Sequence, residues 1–270
     1  RCVTGGAATP VAAAAACAMA RACEMLRHTF PGRRLEWHAH FVDWARRALM
    51  PALTGATDSS GLAWGYFSSW HAAAAEARMQ LALLRDDGAE FAWCVRRCRA
   101  IVDSYIDEEG LTLESVLCDA RACCAALCAL VHMAEMAHHQ GVGALYAHRG
   151  ALLRRAVELH AGVYGPRRAA PPDHALAEFR LRGPVPSEGW AVARRHYALR
   201  QAQPMPATEE LVARLRPCDH GPAGGWFDAI THAEGGPPQD PAPAPQSQAR
   251  CRRPPAAPPP AASLRPLASA

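Results

Sequence analysis

The sequence predicts an all-α protein, and three observations support that class. Apolar residues recur at three- and four-residue steps in several long segments, which is the period of a helix with one buried face. Residues that favour helix starts and stops lie at the ends of those segments. No segment of any length alternates apolar and polar residues with the two-residue period of a strand.

The first part of the chain is predicted to contain four helices. Thr9 suits an N-cap position and Pro10 the first helical position, while Pro31-Gly32 ends the helix that they begin. The second helix is expected to end at Pro51, before a loop over 54–61 that is rich in turn residues. The predicted helices span 10–29, 34–50, 64–85 and 89–106.

The stretch 110–146 has the clearest helical pattern, with acidic residues near its start and cysteines and histidines further on. Gly141 is predicted to follow the helix as its C′ residue, and His138 and His139 suit the negative end of the helix dipole. Shorter helices are expected at 150–164, 188–200 and 208–215, with a proline-rich connection over 165–188 that contains one short helix near 174–179.

Composition divides the chain into a domain at 1–234 and a tail at 235–270. The chain has 270 residues, 50% of them hydrophobic, which is enough for one core-bearing domain. Beyond Gly235 the chain is mostly Pro, Ala and Gln and contains eleven of the 23 prolines, so we expect disorder there. The chain begins with Arg1, and we interpret it as an N-terminally truncated fragment in which no signal peptide is visible.

Charge and cysteine content exclude some classes of function. The net charge of +4 is mild and spread out, so the sequence does not indicate a nucleic-acid-binding protein, and no apolar run is long enough to predict a membrane span.

The eleven cysteines fall mostly inside predicted helices, and we interpret them as small buried hydrophobic residues. Cys124, Cys128 and His132 share one helix face, but without a paired C-x-x-C knuckle we expect no metal site.

Successive helical hairpins can form a bundle, a solenoid or an (α/α) toroid. No fixed-period repeat is present, which disfavours the solenoid. Composition alone does not distinguish a bundle from a toroid.

Five sequence motifs occur in one order along the chain. Residues 20–44 (ARACEMLRHTFPGRRLEWHAHFVDW) are similar to a helix, T-W-P-G and a second helix, and residues 62–91 resemble G-N-W, a helix and D-D-x-x-x-F. Residues 105–146 resemble Y-I-(x)n-G, E-T-C-R-D-L-G-H-T-Q-Y-G-L and A-A-E-x-A-x-H-Q-G-x-D-L-Y. Residues 190–200 (WAVARRHYALR) resemble W-E-I-A-Y-N-H-Y-x-x-R, and 216–233 resemble a closing R-P and L-T-H-A. In this order the motifs resemble the alginate lyase family.

The resemblance implies an (α/α) toroid, here an incomplete barrel of antiparallel helical hairpins that lacks the family's N-terminal helices. It implies β-elimination on a 4-linked uronate polymer, an acidic polysaccharide as partner, no cofactor, and a secreted or extracytoplasmic location. In this chemistry one group neutralises the sugar carboxylate, a base takes the C5 proton, and an acid protonates the leaving O4.

Several of the family's working positions contain side chains that cannot perform these tasks. The Asn of G-N-W, which precedes Trp64, falls on Ala63, and counting back from Glu135 sets the register of the later segment. The family Arg, His, Gln and Tyr fall on Cys118, Ala122, Cys124 and Ala125. Arg121, one turn after the family Arg position, can replace only one of them. The resemblance therefore implies a lyase domain that is catalytically weakened or inactive.

The polar residues that remain define a candidate site. His196 and Tyr197 are suited to act as acid and base, with Arg200 one turn away to meet a carboxylate. A tryptophan such as Trp64 can stack on a sugar if it is exposed, or anchor the core if it is buried. Acidic residues near a helix start, such as Glu114 and Asp119, can bind substrate or stabilise the helix. The predicted catalytic residues are His196 and Tyr197, and the predicted substrate-binding residues are Trp64, Glu114, Asp119 and Arg200.

Three alternatives stay open. The chain can be an active lyase with a rearranged site or another substrate, or a non-enzymatic helical scaffold or acidic-polysaccharide-binding module. A glycosidase with two carboxylates is disfavoured, because Glu114 and Asp119 lie five positions apart on one predicted helix, a placement that does not suit two carboxylates on opposite sides of a glycosidic bond.

Overall fold

The computed structural model describes residues 8–29, 34–58, 67–116, 120–164 and 189–214. Nearly all of these residues are helical, and none of them belongs to a strand. Ile106 and Thr112 form an isolated antiparallel bridge. The all-α class is therefore confirmed for the described part of the chain.

The helices are numbered here in chain order. They are α1 (Ala8–Thr29), α2 (Arg34–Trp44), α3 (Met50–Asp58), α4 (Ser69–Leu84), α5 (Gly88–Tyr105), α6 (Leu113–Val116), α7 (Ala120–His139), α8 (His148–Tyr164), α9 (Trp190–Arg194) and α10 (Pro206–Arg214). π-helical turns at Ala45–Leu49 and Arg195–Arg200 extend α2 and α9, and a 3₁₀ turn at Gly143–Leu145 lies between α7 and α8.

The sequence prediction is wrong at Pro51, where we expected the second helix to end before a loop. The chain stays helical from Arg34 through the π-helical turn and into α3, which ends at Asp58. The backbone N–H of Met50 donates to the carbonyl of Ala45, five residues back, so the hydrogen-bond ladder is already shifted when it reaches the proline. Pro51 then lies in the first turn of α3, where its missing N–H costs little.

The predicted end of α7 is confirmed. Gly141 has a φ of +79°, a left-handed conformation that glycine adopts without strain. Its N–H donates to the carbonyl of His138, and the N–H of Val142 donates to the carbonyl of Ala137 at 2.8 Å. These two bonds satisfy carbonyls that the end of a helix otherwise leaves unpaired.

Helix α4 lies at the centre of the packing. It packs against α1 and α3 and also against α5 and α7. Its sequence, SWHAAAAEARMQLALL, is rich in alanine, and the small side chains allow neighbouring helices to approach on several sides. Two apolar clusters result: Ala74, Ala77 and Leu81 contribute to one with α1 and α3, and Ala72, Ala75 and Met79 to the other with α5 and α7.

The second apolar cluster continues into α8, α9 and α10. Helix α8 packs against α7 and α10, and α9 packs against α7 and α10. The Glu158 carboxylate on α8 accepts the backbone N–H of Ala207 at 2.6 Å and that of Thr208 at 3.1 Å. An acidic side chain therefore caps the N-terminus of α10 and fixes it to α8.

The cysteines of the described part are buried thiols, as the sequence predicts. They are Cys17, Cys23, Cys94, Cys98, Cys123, Cys124 and Cys128. Burial raises the pKa of the Cys94 and Cys98 thiols to about 12, so both are protonated at neutral pH. These two side chains therefore act as small apolar residues of the core.

The finer parts of the fold prediction stay predictions. Helices α4 and α5 pack together across the tight turn at 85–87, as expected of a helical hairpin, but the toroid arrangement is not established. The expected disordered tail at 235–270 and the short helix near 174–179 lie outside the described residues.

Candidate functional site

The structure describes four of the six predicted site residues. Trp64 and Asp119 lie outside the described residues. Glu114 lies on α6, and His196, Tyr197 and Arg200 lie on the π-helical turn after α9. Glu114 and the other three residues therefore belong to different parts of the fold.

Glu114 is a buried carboxylate at the N-terminus of α4. Its Oε1 atom accepts the backbone N–H of Ser69, the first residue of α4, at 2.7 Å. This bond pairs an anion with the positive end of a helix that lies 45 residues away in the chain. The contact is a structural one, and the substrate-binding role of Glu114 stays a prediction.

His196 and Arg200 meet a group of polar side chains from the end of α7. We call Glu135, His139, Tyr146, His196 and Arg200 the Glu135 cluster. Arg200 Nη1 donates to both carboxylate oxygens of Glu135, at 2.8 and 3.1 Å. His139 Nε2 lies 3.1 Å from Glu135 Oε1, and the Tyr146 hydroxyl donates to Glu135 Oε2 at 2.8 Å.

Glu135 is held as an anion although it is buried. Burial alone would raise the pKa of its carboxyl, but the hydrogen bond from His139, the charge of Arg200 and the bond from Tyr146 outweigh it and lower the pKa to about 2. The side chain of Glu135 is 9% exposed and that of Arg200 is 20% exposed. The ion pair therefore joins α7 to the turn after α9 at the edge of the core.

Arg200 keeps part of its hydrogen-bonding capacity. A guanidinium group has five N–H donors, and within the described residues the acceptors recorded for Arg200 are the two oxygens of Glu135, both bound by Nη1. Nε and Nη2 remain at a partly exposed position. His139, whose side chain is 49% exposed, shares the same carboxylate. This edge of the cluster can accept an anionic group from solution.

Tyr197 lies in the core and not at this edge. Its side chain is fully buried, and its hydroxyl donates to the backbone carbonyl of Tyr146 at 2.9 Å. Burial raises the pKa of the Tyr197 hydroxyl well above its usual value. In this position the hydroxyl ties the end of α9 to the turn that follows α7. Its predicted role in proton transfer has no support from this geometry.

His196 is also buried, and its ring packs against other aromatic rings. It stacks on Tyr146 with ring centres 3.5 Å apart, and the ring of His138 meets it edge-on at 5.0 Å. Its Nε2 atom lies 2.8 Å from the Gln201 amide nitrogen, while its Nδ1 atom is buried and has no hydrogen-bond partner among the described residues. Burial lowers the pKa of His196 to about 4, so the imidazole is neutral at neutral pH and a weak base.

Sequence reasoning did not select Glu135, His139 or Tyr146 as site residues. All three belong to the segment AEMAHHQGVGALY, and Glu135 and His139 have the four-residue spacing of neighbours on a helix face. Their link to Arg200 spans 65 residues of sequence, so it depends on the tertiary fold. The segments 105–146 and 190–200 meet in space at this cluster.

The described part of the chain has neither a group of side chains suited to bind a metal ion nor a membrane-spanning helix. Its His, Cys, Asp and Glu side chains form no group of three or more that could bind a metal ion. None of its helices is both long enough and apolar enough to cross a bilayer.

Comparison with protein-family models, with curated proteins and with solved structures finds no match for this chain. The residues of the Glu135 cluster and their geometry therefore form the basis for a functional proposal.

Proposed function

We propose that this chain is an alginate lyase-like domain that binds an acidic polysaccharide and does not cleave it at the Glu135 cluster. The (α/α) toroid arrangement of its helices and the secreted location are part of the same proposal. The observation that carries it is the position of Arg200, which Glu135 holds through Nη1 while the rest of its guanidinium group lies at a partly exposed edge.

The binding part of the proposal rests on the geometry of that edge. A uronate polymer presents a carboxylate on each sugar, and the planar guanidinium group is the side chain best suited to bind a carboxylate through two parallel N–H bonds. Glu135 fixes the Arg200 side chain before any ligand arrives, which lowers the entropy cost of binding. His139 lies beside it and adds a polar, exposed ring. One sugar carboxylate at this edge is the expected contact.

The absence of cleavage rests on the state of the proton-transfer groups. The hydroxyl groups of Tyr146 and Tyr197 are buried, bonded within the protein, and have raised pKa values. His196 is buried and a weak base. At the positions that resemble the family's elimination motif, Ala122 and Ala125 have no titratable group. No pair of accessible acid and base is formed by these residues.

A second candidate function, a helical scaffold without a polysaccharide ligand, is favoured by the internal pairing of Glu135 with three side chains. Such pairing stabilises the contact between α7 and α9 whether or not a ligand is present. The two functions differ in whether a polyuronate binds.

The proposal is tested by two assays on the same protein. In affinity electrophoresis through gels that contain sodium alginate, the protein is expected to migrate more slowly than in gels that contain neutral dextran. In solution with alginate or polygalacturonate, ultraviolet absorbance is expected to stay constant, because no unsaturated uronate forms. Equal migration in the two gels would favour the scaffold, and a steady rise in absorbance would show an active lyase with a rearranged site.

A further inference from the structure

A second group of polar side chains lies between α1, α4 and α7, away from the Glu135 cluster. We call Arg21, Glu76, Gln80 and His132 the Arg21 cluster. Glu76 Oε1 accepts from Arg21 Nη2 at 3.0 Å and from Gln80 Nε2 at 3.0 Å, and it lies 2.9 Å from His132 Nδ1. Three helices therefore meet at one carboxylate oxygen. None of these residues belongs to the predicted site.

The cluster contains an unsatisfied buried acceptor. Gln80 is 9% exposed, and no described residue supplies a hydrogen-bond partner to its Oε1 atom. The orientation of the amide follows from its neighbour, because the NH₂ group must face the Glu76 carboxylate and the reverse orientation would place two acceptors together. Oε1 is therefore left unpaired, at a cost in stability that proteins usually avoid unless a water or a ligand binds there.

The chemistry of the cluster selects the class of ligand. A carbonyl oxygen requires a donor, so a free anion cannot satisfy Gln80 Oε1. The Arg21 cation and the Glu76 anion already offset each other. A hydroxyl group can donate to Gln80 Oε1 and also accept from a neighbouring N–H group, and adjacent hydroxyl groups are the polar surface of a sugar ring.

Arg21 is the solvent-facing side chain of the cluster. The side chain of Arg21 is 24% exposed, whereas those of Glu76 and His132 are 11% and 9% exposed. The unbranched stem of an arginine can move aside without disturbing the helix that carries it. A ligand would reach the buried acceptor past this side chain.

We propose that the Arg21 cluster is a second carbohydrate-binding site, which takes hydroxyl groups of a sugar through Gln80 and Arg21. It rests on the proposed function, because it assigns a second contact to the same acidic polysaccharide. The Glu135 cluster binds a sugar carboxylate, and the Arg21 cluster binds the hydroxyl groups of a sugar in the same class of polymer.

The test compares the wild type with Gln80→Met and Arg21→Met in alginate affinity gels. Methionine at position 80 keeps an unbranched side chain of similar length and removes the amide. Each variant is expected to bind alginate about tenfold more weakly, the effect of losing one buried hydrogen bond. Leu83→Met, three positions further along α4, is the matched control and is expected to bind like the wild type.

Each result decides between the proposals. If the wild type binds alginate and both variants bind within about twofold of it, Gln80 Oε1 holds only water, and the second site is rejected while the proposed function stands. If the wild type does not bind, the proposed function fails and the second site fails with it. Circular dichroism checks that each variant folds. If Gln80→Met does not fold, Arg21→Met still reports on the site, because Arg21 lies at the exposed side of the cluster.

Discussion

Glu135→Gln is expected to lower the free energy of unfolding by about 2–3 kcal/mol at neutral pH, because it removes one partner of a largely buried ion pair. The amide keeps the shape of the carboxylate but leaves the charge of Arg200 without its counter-ion. It also weakens the acceptor for His139 and Tyr146. Urea-induced unfolding, followed by circular dichroism, measures the loss.

The effect of Glu135→Gln should depend on pH in a defined direction. The pKa of Glu135 is lowered in the folded protein from 4.5 to about 2. A carboxyl group with a lowered pKa stabilises the fold above its unfolded pKa, and that contribution disappears as the pH falls toward the folded value. The difference between wild type and variant is therefore expected to be constant above about pH 5 and to shrink steadily below about pH 4.

A control compares this buried pair with a more exposed one. Arg214 Nη2 donates to Glu210 Oε1 at 3.2 Å, one turn away on α10, and the two side chains are 57% and 24% exposed. Glu210→Gln is expected to change the free energy of unfolding by less than about 0.5 kcal/mol. Equal losses for the two variants would show that Glu135 contributes no more than a surface charge.

Gly189→Ala is expected to destabilise the protein by about 3 kcal/mol or more, since two costs combine. Gly189 has a φ of +87°, which is unfavourable for any residue with a Cβ atom. A Cβ atom at this position would also lie 2.8 Å from the Cα atom of Cys128, so α9 and α7 would have to separate. The midpoint of thermal unfolding should fall by several degrees or more.

Gly88→Ala is the matched control for this substitution. Gly88 is the first residue of α5, and a Cβ atom there would meet no atom of the described residues within 4 Å. Alanine favours helix over glycine, so this variant is expected to be as stable as the wild type or up to about 1 kcal/mol more stable. If both variants lose stability equally, the close approach of α9 to Cys128 is not the cause.

The helices were predictable because their determinants are local. Gly141 ends α7 through bonds to residues within one turn, and the pattern of apolar residues in the same helix is visible in the sequence. Pro51 shows the limit of local rules. Helices α2 and α3, on either side of the π-helical turn, both pack against α1, and a composition rule does not contain contacts between such distant segments.

The candidate site was only partly predictable for the same reason. His196 and Arg200 were selected from their own segment, but the partner that fixes Arg200 is Glu135, 65 residues earlier in the chain. Tyr197 shows the opposite case. Its position one residue after His196 suggested a shared role, whereas the helical turn directs its hydroxyl to the backbone of Tyr146 in the core. Pairings between distant segments require the tertiary fold.

Arg200 is proposed to bind a carboxylate of the polysaccharide through its planar fork of N–H groups. Arg200→Lys tests it most directly, because lysine keeps the charge that Glu135 needs and loses the two-pronged geometry. Arg214→Lys, on the exposed face of α10, is the matched control. Binding constants are measured by affinity electrophoresis over a series of alginate concentrations.

Arg200→Lys is expected to bind alginate about tenfold more weakly than the wild type, and Arg214→Lys to bind like the wild type. Wild-type affinity in the Arg200→Lys variant would contradict the assignment of this edge as the carboxylate-binding site.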